Sequence, residues 1–154
     1  MGCSLYELKG VKGFLEEKLL NESKKAQSIL KPKIISQRLV AHIQNPIPHL
    51  KITSTIDKSG NILSVDTVEN TILKDDNFLI EYICAILNSK AINWYTYKFI
   101  FCSAIRTMDL DNYYIGKIPI PKIPKLAQKP FETLVNKITE KKNTAKTPPP
   151  KRSK

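Results

Sequence analysis

The chain is 154 residues long, 42% hydrophobic and 25% charged, with a formal net charge of +11. That length supports one ordinary domain with its own core and excludes the small disulfide-stapled classes. Three cysteines without CxxC spacing, and two histidines, His42 and His49, with no ligand-spaced partner, argue against a zinc cluster.

The charge is unevenly spread, +6 from Asn136 onward and +5 over the first 135 residues. The start MGCSLY has Tyr6 where a myristoylation signal needs Ser or Thr. No basic flank precedes a long apolar run before Gly10, so no secretory signal is expected, and the thiols fit a reducing cytoplasm.

Residues 1–30 read as a lead-in segment: a turn around Gly10 and Gly13, a marginal amphipathic helix from Phe14 to Leu20, and a further helical turn capped by Asn21 or Ser23. Pro32 closes any helix. KIISQRLVAHI then alternates Ile34, Ser36, Arg38 and Val40 against Ile35, Gln37 and Leu39, which predicts a half-buried strand. Past the Pro46-Ile47-Pro48 joint, HLKITSTID sets Leu50, Ile52, Ser54 and Ile56 on one face and Lys51, Thr53, Thr55 and Asp57 on the other. Asp57 to Asn61 predict a hairpin turn into NILSVDTVENTILK, a further strand-rich run.

The longest apolar tract, Asn77 to Ile105, carries Phe78, Leu79, Tyr82, Ile83, Ile86 and Leu87 at helical spacing, with Asp76 placed at its positive end. Glu81, Lys90 and Lys98 interrupt it, and a charge at the bilayer centre costs about 2.5–3.5 kcal/mol, so a core element is expected and no membrane span. Asn88 and Ser89 are poor inside a helix and good as caps, which predicts a break and a second helix from Lys90 to about Ile100.

DLDNYYIGKIPIPKIP is extended, with Pro119, Pro121 and Pro124 restricting it to an edge strand or a strap. Gln128 to Lys142 predict an amphipathic helix with Pro130 near its first turn and Phe131, Leu134, Val135 and Ile138 on its apolar stripe. Residues 143–154 have the composition of a disordered basic tail. The sum is an α+β fold: a small twisted β-sheet, a two-helix apolar core element, a proline-rich edge strand and a C-terminal amphipathic helix.

Catalytic patterns are weak. Asn45-Pro46-Ile47-Pro48 only approximates the base-gripping loop of amino-group methyltransferases, and no glycine-rich cofactor loop accompanies it. Glu22-Ser23-Lys24 and Glu140-Lys141-Lys142 match the Glu-x-Lys of metal nucleases without an upstream carboxylate, and no GxSxG occurs. No catalytic or metal residue is assigned.

A binding inventory remains. Lys33, Gln37, Arg38, His42, Lys51, Ser54, Thr55 and Lys58 lie on the predicted strands and turns, and Arg106, Thr107 and Lys117 follow the helices. Gln, Arg, Ser and Thr can read base edges in the major groove, whereas Lys more often holds phosphate. For each of them the alternative is an ordinary surface side chain.

The order KPKIISQRLVAHI, TSTIDKSGNI, CAILNSKAINWYTYKFI, YYIGKIPIPKIP and QKPFETLVNKITEKK resembles the TaqI-like C-terminal specificity domain of type II restriction-modification enzymes, which are adenine-specific DNA methyltransferases often fused to a nuclease. It is similar also to the target recognition domains of type I specificity subunits. Leu87-Asn88-Ser89 before the aromatic helix and Ile118-Pro119-Ile120-Pro121 before the last helix carry the likeness most.

The resemblance implies a target recognition domain over 31–142 that binds double-stranded DNA sequence-specifically, without catalysis or a cofactor of its own. S-adenosylmethionine and Mg are then expected only in the methyltransferase or nuclease domains or subunit that partner it. The alternative is a non-specific basic nucleic-acid binder, of RNA or DNA, driven by the tail.

Overall fold

A computed structural model describes residues 2–4, 6–9, 13, 14, 16, 18, 23–64 and 66–144. In chain order the elements are strands β1 (Gly2–Ser4) and β2 (Glu7–Lys9), helix α1 (Lys24–Ile29), and strands β3 (Lys33–Gln37), β4 (Leu39–Ala41), β5 (Ser54–Asp57) and β6 (Val68–Thr71). Helices α2 (Ile80–Leu87) and α3 (Lys90–Tyr95), a π-helical turn (Thr96–Ile100), β7 (Thr107–Asp109), α4 (Asn112–Ile115) and α5 (Lys125–Thr144) complete it. The class is α+β, as the sequence predicts. Most of Phe14–Leu20 and all of 145–154 lie outside the described residues.

The β-branched pair Ile34 and Ile35 makes β3 the centre of a three-stranded sheet of order β5-β3-β6, both pairings antiparallel. Both isoleucines are fully buried, so this strand is covered on two faces and not half-exposed as its alternation predicts. The register sets Lys33 opposite Asp57 and Ser36 opposite Ser54. Those pairs close chemically: Lys33 Nζ donates to Asp57 Oδ2 at 2.8 Å, and the two serine hydroxyls share a 2.7 Å bond.

KIISQRLVAHI is two strands. At Arg38 the backbone N–H donates to Thr67 O and the carbonyl accepts from Leu110 N, so the chain leaves the sheet and β4 pairs with β7 in a separate antiparallel ribbon. HLKITSTID forms a ladder only from Ser54 onward, although Leu50 and Ile52 are fully buried. Asp57 to Asn61 turn without making a hairpin, because β3 lies between β5 and β6. Asp57 Oδ1 accepts from Ser59 Oγ and Gly60 N, and Oδ2 from Ile62 N. Gly60 has φ +71°, and a Cβ there would sit 2.7 Å from the Lys31 carbonyl carbon.

The helical break falls where Asn88 and Ser89 predict it, with Ser89 Oγ accepting from Ile92 N at 3.2 Å to cap α3. Ser23 likewise caps α1 through Ala26 N. Asp76 is exposed, and no side chain of the preceding turn caps α2. Gln128, from α5, does so instead: its Oε1 accepts from Leu79 N at 2.8 Å while Nε2 donates to Asn77 O and Ile123 O.

Of the run expected to be extended, Asn112–Ile115 is helical, and Ile118 to Pro124 join no ladder, so this is a strap and not an edge strand. Tyr82 Oη donates to Pro121 O at 2.8 Å and holds the strap to α2. α5 starts three residues before the expected Gln128, which leaves Pro130 inside it, and Leu134 of the expected apolar stripe is exposed. Val135 is buried and Phe131 packs edge-on against Tyr82 at 5.0 Å. The core joins Ile34, Val40, Leu50, Ile52, Tyr82, Leu87, Met108 and Leu110. Tyr6 N donates to Ser54 O at 3.1 Å, which ties the turn between β1 and β2 to β5. Among the described residues no helix is long and apolar enough to cross a membrane.

The Lys33–Asp57 pair has side chains 0% and 1% exposed. Removing one partner of a buried pair strands the other, so Lys33→Met should lower unfolding free energy by about 3–5 kcal/mol in a urea titration. Burial works to raise the Asp57 carboxyl, yet the bonds from Lys33, Ser59 and Ile62 hold it below its ordinary value. A depressed folded pKa means that this stabilisation is complete above the unfolded value near pH 4 and is lost as pH falls through the folded one. Stability measured between pH 5 and 2 should therefore fall more steeply in the wild type than in Asp57→Asn.

Candidate nucleic-acid interface

Burial divides the sequence-selected residues. Lys33 and Ser54 are fully buried and Thr55 nearly so, which takes all three away from any outside ligand. The first two look like surface polar residues in sequence because each is neutralised by a partner opposite it in the register. Lys58 is exposed but committed, donating to Glu81 Oε1 at 2.6 Å and Asn136 Oδ1 at 2.8 Å. Gln37, Lys51, Arg106, Thr107 and Lys117 are exposed, and Arg38 and His42 are half-buried.

The β4–β7 ribbon has an inner face, Val40 and Met108, and an outer face of exposed Leu39, Ala41, Thr107 and Asp109. Its two ends differ in charge. At the Leu39 end, Arg38 Nε and Nη2 donate to the two oxygens of Asp109 at 2.8 and 2.9 Å. That hydrogen bond, then the charge of each partner on the other, raises the Arg38 pKa and holds the Asp109 carboxyl below its ordinary value. Glu69, raised chiefly by burial, feels Asp111 and Asp109 as well as Arg38. One arginine among three carboxylates leaves this end acidic. Lys117 is committed near it, 4.0 Å over the Tyr113 ring, while neighbouring Asn112 donates to Glu69.

The Ala41–Thr107 end carries His42, Arg106 and no carboxylate before Asp109, and two loops project from it. The first is closed by reciprocal backbone bonds between Ile43 and His49, 2.8 and 2.9 Å, and presents Gln44, Asn45 and Ile47. His49 Nδ1 lies 2.6 Å from Ile47 O, and the His42 ring packs 5.6 Å from that of Tyr97.

The second loop leaves the π-helical turn, where Phe101 N bonds Thr96 O. Cys102 and Ser103 follow with φ of 50° and 59°, a left-handed pair without glycine. Ser103 N bonds Tyr97 O at 2.8 Å and Tyr97 Oη donates back to Ser103 O, and the loop then presents Ile105, 82% exposed, and Arg106. Trp94 and Phe99, both exposed and edge-to-face at 5.5 Å, lie on the helical segment before it.

Ile47, Ile105, Trp94 and Phe99 were absent from the sequence inventory. Each is an apolar residue whose exposure depends on tertiary placement, and only the Pro46-Ile47-Pro48 joint marked one of them in advance. Among the described residues no group of His, Cys, Asp or Glu could hold a metal.

The family of TaqI-like C-terminal specificity domains matches residues 6–120, which includes the sheet, both helices of the apolar tract and the ribbon. The match begins inside the segment read from sequence as a lead-in. No curated protein and no solved structure matches the chain.

The left-handed pair at the ribbon tip gives a direct test of stored backbone strain. Ser103→Gly should raise unfolding free energy by up to about 1 kcal/mol in thermal or urea unfolding, because glycine meets no Cβ penalty at positive φ. A loss of stability would mean that the side chain and not the backbone defines this loop.

Proposed function

The chain belongs to the TaqI-like C-terminal specificity domain family, and from that membership we propose that it binds double-stranded DNA at a short specific sequence as the target recognition domain of a restriction-modification enzyme. The adenine methyltransferase or nuclease chemistry, with S-adenosylmethionine and Mg, then belongs to partner domains or a partner subunit, in the cytoplasm. The match over 6–120 carries the reading.

The ribbon gives it a physical form. A two-stranded β-ribbon fits the major groove, and the β4–β7 ribbon has one end where phosphate would be repelled, at Asp109, Asp111 and Glu69, and one end where it would not. The Ala41–Thr107 end enters first in this reading. Arg106, Thr107, Gln44 and Asn45 are then nearest the base edges, while Lys51 and other exposed lysines hold the backbone. Ile47 and Ile105 suit contact with thymine methyls.

Selection from a random duplex library, followed by gel shifts at several salt concentrations, tests this. One short motif should be enriched, and Arg106→Ala should cost about 1–3 kcal/mol on that motif while changing random duplex much less. Deleting 143–154 should weaken all binding without erasing the preference. No enrichment over random duplex would overturn the reading, and loss of all binding on that deletion would favour the tail-driven binder.

A further inference from the structure

The last helix lies beyond the family match, and its solvent side is predominantly basic, with four exposed lysines and one exposed glutamate, Glu140, among them. α5 is fixed in rotation by three contacts on its inner side: the threefold bonding of Gln128, the Phe131–Tyr82 ring contact and buried Val135. That orientation turns Lys125, Lys129, Thr133, Lys137 and Lys141 to solvent, every one of them exposed. Over the whole helix five lysines face two glutamates, and no carboxylate forms an ion pair with these four lysines among the described residues.

From this face we infer that α5 is a second, sequence-independent contact for duplex DNA, gripping the phosphate backbone beside the site that the ribbon reads. The inference takes its partner from the duplex-binding reading above. Steps of four residues set these five positions about 6 Å apart along the axis with a drift of about 40° around it at each step, so they form a diagonal stripe about 24 Å long in which Thr133 leaves about 12 Å between Lys129 and Lys137. One strand of duplex presents about seven phosphates over that length. Lysine is a flexible point charge suited to phosphate and poor at base edges, which fits an anchor and not a reader. The two exposed leucines, Leu126 and Leu134, are two helical turns apart with Lys129, Pro130 and Thr133 between them, so no continuous apolar seam invites a partner helix.

The test is the full chain carrying Lys129→Gln, Lys137→Gln and Lys141→Gln together, titrated by fluorescence anisotropy with random-sequence duplex and with the selected target over a range of KCl. A second triple variant, Lys24→Gln, Lys31→Gln and Lys74→Gln, removes the same charge from exposed positions elsewhere. The α5 variant should flatten the log–log salt slope by about 2–3, at about 0.9 for each lost phosphate contact, and weaken random and target duplex by the same factor. The second triple variant should do much less, and the arginine version of the α5 variant should restore the slope.

An unchanged slope with target preference intact would overturn the inference and leave the specificity reading standing, assigning the face to an acidic protein surface. Equal loss in the two glutamine variants would also overturn it, since net charge and not location would then be at work. Loss confined to the α5 variant, in a chain with no target preference, would support the anchor and overturn the specificity reading. A wild type that binds neither duplex would overturn both.

Discussion

Asn88 holds the two halves of the molecule together. Its Oδ1 accepts from Ser54 N at 2.8 Å and its Nδ2 donates to Ser54 O at 2.9 Å, so one side chain at the break between α2 and α3 completes the backbone of the first residue of β5. One turn further on, Asn93 Oδ1 accepts from Ile52 N at 2.7 Å. Two amides thus serve as a substitute strand edge: the Ser54 and Ile52 N–H groups would otherwise be buried without a partner at a cost of about 1–3 kcal/mol apiece, while Ser54 O is shared with Tyr6 N. This explains how Leu50 and Ile52 can be fully buried on a segment outside any ladder. It also explains why the helical tract breaks at Asn88: the amide is needed across the interface.

Charge follows the same architecture. Two cations are consumed by carboxylates, buried Lys33 by Asp57 and exposed Lys58 by Glu81, and both pairs fix the start of the turn at 57–61. Arg38 fixes the ribbon to its partner strand through a solvent-screened fork, so its role is geometric more than energetic. What remains for an anionic ligand includes the far end of the ribbon and the outer face of α5.

Local chemistry was legible in the sequence where the answer is local. Ser23 and Ser89 are caps because a serine before a helical run can satisfy an N–H three residues on, and both do. The two-helix division follows from the capping preference of Asn88 and Ser89, and the amphipathic last helix from spacing. Strand partnership was not legible, because it is decided by distant chain: Arg38 meets Asp109 across 71 residues, and β3 separates two strands that look like a hairpin. The same distance hid the capping of α2, where Gln128 replaces the adjacent Asp76. For the site, polarity alone marked Lys33, Ser54 and Thr55 as readily as Arg106 and Thr107. Only the register reveals that Lys33 and Ser54 face a partner inside the sheet.

The division between holding and presenting residues bears on how such a domain can change what it reads. Asn88, Asn93, Gln128, Tyr82 and the Lys33–Asp57 pair secure the sheet, the helices and the strap without using the side chains of Gln44, Asn45, Ile47, Ile105 or Arg106. The first loop closes on its own backbone through Ile43 and His49, and the second is tied to the π-helical turn by Ser103 N and O. Side chains at the two tips can therefore be exchanged at little cost to the core, which is the usual arrangement of variable loops on a rigid scaffold. The left-handed pair at Cys102 and Ser103 is where the scaffold spends stability to aim a tip, and it ends two residues before Ile105 and three before Arg106.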